Sequence, residues 1–173
     1  MNNISSYSLI LGGAKALDKI SQTPRLDSEL LLAKVLKMGR DQFYCKDIFP
    51  ERKQIQAYDA LLKKRIQGTP VAYLTGCKEF WSLPLKVNQD TLIPRPETEH
   101  LVQQSLVRLD NLEKNYQVLE LGTGCGAVAI ALAKERPKAS IFATDVSPKA
   151  LKIGKYNAKN FQISNIQFIC SDW

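Results

Sequence analysis

Apolar residues recur at steps of three and four along the first part of the chain, then give way to short β-rich runs. Leu30, Leu31, Leu32, Val35 and Leu36 form one stripe. Thr23-Pro24 before them is a helix-start signal, with proline at the first helical position. Ile55, Tyr58, Leu61, Leu62 and Ile66 form a second stripe, opened by Pro50 and closed by Gly68 and Pro70. Helices of this length are marginal alone and must pack on each other, so residues 1–70 are expected to form a small helical bundle.

The pattern changes between Pro70 and Pro96. Val71 to Leu74 and then Glu79-Phe80-Trp81-Ser82-Leu83-Pro84-Leu85-Lys86-Val87 read as extended, with Asn88-Gln89-Asp90 as a turn. Pro84 argues for an edge strand. Residues 71–96 are therefore expected to be a β-hairpin linker. A helix is expected from Glu97 through Leu101, Val102, Leu106 and Leu109, after which strand and helix alternate, with strands near Val118, Ile141 and Gln167. The expected class is α/β: a helical domain, a hairpin linker, and over residues 97–173 the first half of a doubly wound Rossmann-like sheet.

The most informative stretch is Gln117-Val118-Leu119-Glu120-Leu121-Gly122-Thr123-Gly124-Cys125-Gly126-Ala127. An apolar strand ends near an acid, and alternating glycines then open a helix. Bare backbone lets a ligand approach closely, and the helix N-terminus offers unpaired N–H groups. Two cofactors suit such a loop. The dinucleotide fingerprint can be laid on Gly122, Gly124 and Ala127, with Asp145 as the ribose-binding acid. The acid-x-Gly-x-Gly-x-Gly pattern of Glu120, Gly122, Gly124 and Gly126 instead resembles motif I of class I S-adenosylmethionine methyltransferases. In either case Ser140 to Asp145 reads as a short strand closing on a carboxylate.

Composition narrows the field. The 173 residues are 45% hydrophobic and 24% charged, enough to build a packed core. No apolar stretch approaches the ~20 residues of a membrane span, and the N-terminus lacks a signal-peptide pattern, so a cytoplasmic protein is expected. Cys45, Cys77, Cys125 and Cys170 contain no C-x-x-C pair, and no metal site is expected. The net charge of +7 is uneven: residues 1–70 carry 12 Lys and Arg against 7 Asp and Glu. Lys63-Lys64-Arg65 reads either as a solvated helix face or as part of a docking surface for an acidic protein or RNA. No aromatic residues interleave with it to stack bases.

Beyond the glycine loop, Gly68-Thr69-Pro70-Val71-Ala72-Tyr73-Leu74-Thr75-Gly76, Phe80-Trp81 and Thr91-Leu92-Ile93-Pro94-Arg95-Pro96-Glu97-Thr98-Glu99 resemble segments of the HemK/PrmC family, the release factor glutamine methyltransferases. The resemblance runs through the whole chain. It implies methyl transfer from S-adenosylmethionine to the side-chain amide of the glutamine in the Gly-Gly-Gln motif of peptide-chain release factors. It also implies a helical domain that docks the release factor, with no direct nucleic-acid partner. Carried across by motif, Gly122, Thr123, Gly124, Cys125 and Gly126 would hold the cofactor, with Asp145 on its ribose. Asp172 and Trp173 would lie at its adenine, Arg95 and Glu97 near its methionine end, and Glu120 would close the strand. The family's catalytic Asn-Pro-Pro-Tyr does not occur in these residues and is expected beyond Trp173, so the 173-residue chain is expected to be inactive on its own. The alternatives are a binding module without catalysis and a nicotinamide-dependent oxidoreductase.

Overall fold

The computed structural model describes residues 4–172, so Met1, Asn2, Asn3 and Trp173 lie outside the described residues. The chain divides into two compact units, Met1–Thr75 and Gly76–Trp173.

The first unit is helical: α1 (Ser6–Leu17), α2 (Pro24–Leu36), α3 (Gln42–Cys45), α4 (Arg52–Ile66) and α5 (Val71–Thr75). Pro24 does open α2, but the Thr23 hydroxyl donates to Asp27 at 3.3 Å and does not cap the helix. Helix α4 starts at Arg52, two residues after the expected Pro50, because Glu51 takes the N-cap position and its N–H donates to the Gln54 side chain at 2.8 Å. Ile10, Leu31, Leu32 and Tyr58 form the core, with Val35, Leu61, Leu62, Val71 and Leu74 packed on it. The Tyr58 hydroxyl donates to the Leu9 carbonyl at 3.2 Å and lies 2.7 Å from Ser28 Oγ, which in turn donates to the Ile10 carbonyl. This polar junction of α1, α2 and α4 leaves room only for Gly13: a Cβ there would stand 1.9 Å from the Tyr58 oxygen.

Two expectations fail here. Val71 to Leu74 are helical, not extended; the Pro70 carbonyl accepts from the N–H groups of Tyr73 and Leu74. A four-residue apolar run has no periodicity of its own, and the three-residue step from Val71 to Leu74 suits the helical core. The basic run also splits. Lys63 and Lys64 are exposed, but Arg65 turns inward to pair with Asp27 at 2.8 Å.

The second unit begins with the antiparallel hairpin β1 (Cys77–Phe80) and β2 (Leu83–Lys86), followed by α6 (Thr98–Arg108). Next come β3 (Gln117–Leu121), α7 (Ala127–Glu135), β4 (Ser140–Asp145), α8 (Pro148–Asn160) and β5 (Ile166–Cys170). The last three strands form a parallel sheet in the order β3-β4-β5, with Val118 beside Ile141 and Ile141 beside Ile166. Helices α7 and α8 pack on β4, β5 and each other, so both cover one face. Ile141 and Ala143 are buried beneath them, whereas Leu119 and Leu121 alternate to the other face and are exposed. The hairpin is fixed to the rest of the unit. Its turn residues Trp81 and Ser82 have positive φ, the Trp81 backbone N–H donates to Glu99 and its ring N–H donates to Glu135. Among the described residues no helix is long and apolar enough to cross a membrane.

Candidate functional site

The loop between β3 and α7 is built on three left-handed glycines: Gly122, Gly124 and Gly126 have φ of 73°, 56° and 84°. Residues with a Cβ are strained there. Space divides the three. A Cβ on Gly122 or Gly124 would meet nothing within 4 Å, so their bare backbone faces an open cradle. A Cβ on Gly126 would lie 3.0 Å from Ile130 and 3.3 Å from the Gly154 Cα. Gly126 therefore serves the close packing of α7 on α8, while the first two glycines leave room for a ligand.

Glu120 secures the loop from below. Its Oε2 accepts from the Thr123 hydroxyl at 2.7 Å and from the Ala129 N–H at 3.0 Å, which ties strand, loop and first helical turn together. Burial pushes its carboxyl above the ordinary carboxylate value; the Thr123 and Ala129 hydrogen bonds pull the other way, and the nearby Asp145 charge adds to the rise.

Asp145, at the end of β4, reaches back to the same loop. Its Oδ2 accepts from the Gly124 N–H at 2.8 Å and its Oδ1 from the Ser147 N–H at 2.9 Å. Each carboxylate oxygen has a second lone pair, so the group can also accept from a vicinal diol. A small cavity of about 80 Å³ lies beside it, lined by Gly122, Thr144, Asp145, Val146, Ser171 and Asp172. Thr144 completes the seam: its carbonyl accepts from the Thr123 N–H and its hydroxyl donates to the Glu120 carbonyl.

The structure thus brings together Glu120, Gly122, Thr123, Gly124, Gly126 and Asp145, with Asp172 on the cavity wall. Thr123 and Cys125 are buried: the Thr123 N–H donates to the Thr144 carbonyl and the Cys125 carbonyl accepts from Asn157, so both shape the loop from within. Burial pushes the Cys125 thiol up to about 11. Arg95 and Glu97 are exposed in the segment before α6 and are not among the cavity-lining residues. Trp173 lies outside the described residues. His100 is exposed at the start of α6, and among the described residues no cluster could hold a metal ion.

One residue of the site is not marked by any motif. The buried Asn157 of α8 donates from Nδ2 to the Cys125 carbonyl at 2.9 Å and to the Lys86 carbonyl at 3.0 Å, and its Oδ1 accepts from the Lys86 N–H at 2.8 Å. It joins the glycine loop to the hairpin. The signal for it in the sequence is an asparagine three residues after Gly154, on the apolar stripe that includes Ala150, Leu151 and Ala158.

Comparison with known proteins matches residues 8–76 to the PrmC N-terminal domain and residues 112–173 to a methyltransferase domain. A release factor glutamine methyltransferase of Coxiella burnetii is 50% identical over 161 residues, covering 92% of this chain and 58% of that protein. The protein of the same name from Escherichia coli K12 is 48% identical over 157 residues, covering 88% and 55%. That of Rhodopirellula baltica is 41% identical over 151 residues, covering 85% and 51%. The chain spans little more than half the length of these curated relatives.

Proposed function

The chain belongs to the HemK/PrmC family, and from that premise we propose that it serves the transfer of a methyl group from S-adenosylmethionine to a glutamine side-chain amide in peptide-chain release factors. The target is the glutamine of the Gly-Gly-Gln motif, and the role is in translation termination, in the cytoplasm. The cofactor supplies an electrophilic methyl on a positively charged sulfonium.

This chain's own residues fit that cofactor better than a dinucleotide, and one observation carries the choice. The Glu120 side chain takes the Ala129 N–H in the first turn of α7. In a dinucleotide site that turn faces a pyrophosphate. Here an acidic group already occupies it, and as a carboxylate it would repel a diphosphate while attracting a sulfonium. The open backbone of Gly122 and Gly124 would lie under the methionine and ribose portions, and Asp145 would accept from the ribose hydroxyls. Asp172 would lie at the adenine, as would Trp173. The first unit would dock the release factor. Arg95 and Glu97 stay near the methionine end only as the family resemblance implies.

The experiment is transfer by the protein made from its native gene, incubated with a purified bacterial release factor and S-adenosylmethionine. Peptide mass spectrometry is expected to find one added methyl on the glutamine of Gly-Gly-Gln. An unmodified glutamine under conditions where the cofactor binds would contradict the acceptor. Binding of NAD without S-adenosylmethionine would replace the reading with an oxidoreductase.

A further inference from the structure

The first unit contains a charged cavity that the methyl-transfer chemistry does not use. Glu29 on α2 is 2% exposed and accepts from three groups. Arg25 Nε donates at 3.0 Å, Arg40 Nη1 at 3.1 Å, and the Tyr44 hydroxyl lies 2.9 and 3.0 Å from its two oxygens. These hydrogen bonds hold Glu29 below the ordinary carboxylate value against its burial. The cluster lines a cavity of about 310 Å³, walled by Thr23, Pro24 and Leu26 in addition to Arg25, Glu29, Arg40 and Tyr44.

The charges in this cluster do not cancel. Two guanidinium groups face one carboxylate, which leaves one positive charge. Each guanidinium carries five N–H donors, and Glu29 receives one from each. Arg25 and Arg40 are nevertheless 57% and 45% exposed at their side chains, and Tyr44 is 63% exposed. A glutamate buried to pair two arginines is costly if pairing is its only purpose. Its geometric effect is to fix two planar forks and an aromatic edge around a concave opening. Guanidinium forks match carboxylates in two-point contacts, and pre-fixing them lowers the ordering cost of binding.

We propose that the Arg25–Glu29–Arg40–Tyr44 cavity is the docking pocket of the helical unit for a protein partner, and that it takes an acidic side chain of that partner between the two guanidinium groups. This rests on the release-factor reading, which makes the partner a protein. The excess of 12 basic over 7 acidic residues in residues 1–70 would steer an acidic surface toward it. The pocket offers one aromatic edge, with no row of rings on which successive bases could stack, which favours a polypeptide over RNA.

The test is the affinity of the native-gene protein for a purified bacterial release factor at low and moderate salt. The comparison is with Arg25→Gln/Arg40→Gln, and with Lys63→Gln/Lys64→Gln as a control that removes two exposed charges elsewhere on the same unit. The arginine variant is expected to bind about tenfold or more weakly, with a shallower salt dependence and unchanged S-adenosylmethionine affinity. The lysine variant is expected to bind within about twofold of the parent. If the arginine variant no longer unfolds cooperatively, Arg25→Lys/Arg40→Lys keeps both charges and is still expected to lose about threefold, because an ammonium cannot hold Glu29 and a second carboxylate in one plane. Equal loss in the lysine control would mean diffuse charge and overturn the pocket, as would unchanged binding by the arginine variants while the parent binds. Loss of binding to polyuridylate in place of the release factor would assign the pocket to RNA. A parent protein that binds no release factor would overturn the functional reading along with the pocket.

Discussion

Asp145 and Gly124 are 21 residues apart in the chain and 2.8 Å apart in space, the carboxylate of one accepting from the backbone N–H of the other. The end of β4 thereby sets the shape of the loop after β3 before any ligand arrives. A group that both braces the loop and faces the cavity couples stability to binding.

Replacing Asp145 with alanine separates those two roles. Loss of a charged acceptor should weaken S-adenosylmethionine binding by about 1.5 to 3 kcal/mol, roughly tenfold to a hundredfold. The Gly124 and Ser147 N–H groups also lose their partner, so thermal stability without ligand should fall by about 1 kcal/mol. Calorimetric titration and a thermal melt on the same sample read both; unchanged affinity would mean that the ribose lies elsewhere.

The loop glycines should divide by function. Gly126→Ala places a Cβ 3.0 Å from Ile130 in a left-handed backbone and should destabilise the fold by about 2 kcal/mol. Gly124→Ala meets no protein atom, so its loss is backbone strain of about 1 kcal/mol, but the new methyl projects into the cradle. Its cofactor affinity should fall far more than its stability. Urea unfolding beside ligand titration distinguishes the two, and equal profiles would sink the division.

Glu120 makes a prediction about pH. Its folded value lies above its ordinary 4.5, mainly through burial, so folding favours the protonated carboxyl. That contribution is full below about 4.5 and is lost as pH rises through the folded value. Glu120→Gln can still accept from Thr123 and Ala129 through its amide oxygen. It should match or exceed the parent in stability at about pH 7, with a flatter stability profile from about pH 4 upward. Urea midpoints across that range check it; a variant distinctly less stable at neutral pH would show that the ionised group is needed.

The thiols should react in two classes. Cys45, Cys77 and Cys170 are exposed, while Cys125 is buried with its thiol pushed up to about 11. At about pH 8 roughly a thousandth of Cys125 is thiolate, so iodoacetamide should modify it only after unfolding. Peptide mass spectrometry with and without urea reads this directly. Rapid labelling of Cys125 in the folded protein would place its side chain on the surface of the loop.

The parts legible in the sequence are those whose constraint is local. The glycines of 122–126 announce a backbone that only glycine tolerates, and the run closing on Asp145 announces its strand. β3, β4 and β5 fall on the runs near Val118, Ile141 and Gln167, and α6 begins just after Glu97. What was not legible depends on partners far along the chain. Asn157 looks like an ordinary helix residue until Cys125 and Lys86 lie beside it. Glu29 looks like a surface glutamate until Arg40 and Tyr44 fold back over it. Val71 to Leu74 carry too few residues to declare a period, and their helix forms where the apolar core receives it.

The most direct measurement is calorimetric titration of the native-gene protein with S-adenosylmethionine and, separately, with NAD. Saturable single-site binding of S-adenosylmethionine that Gly124→Ala removes is expected, with no binding of NAD, because Glu120 holds the helix turn that a pyrophosphate would need. Saturable binding of NAD with none of S-adenosylmethionine would contradict this expectation.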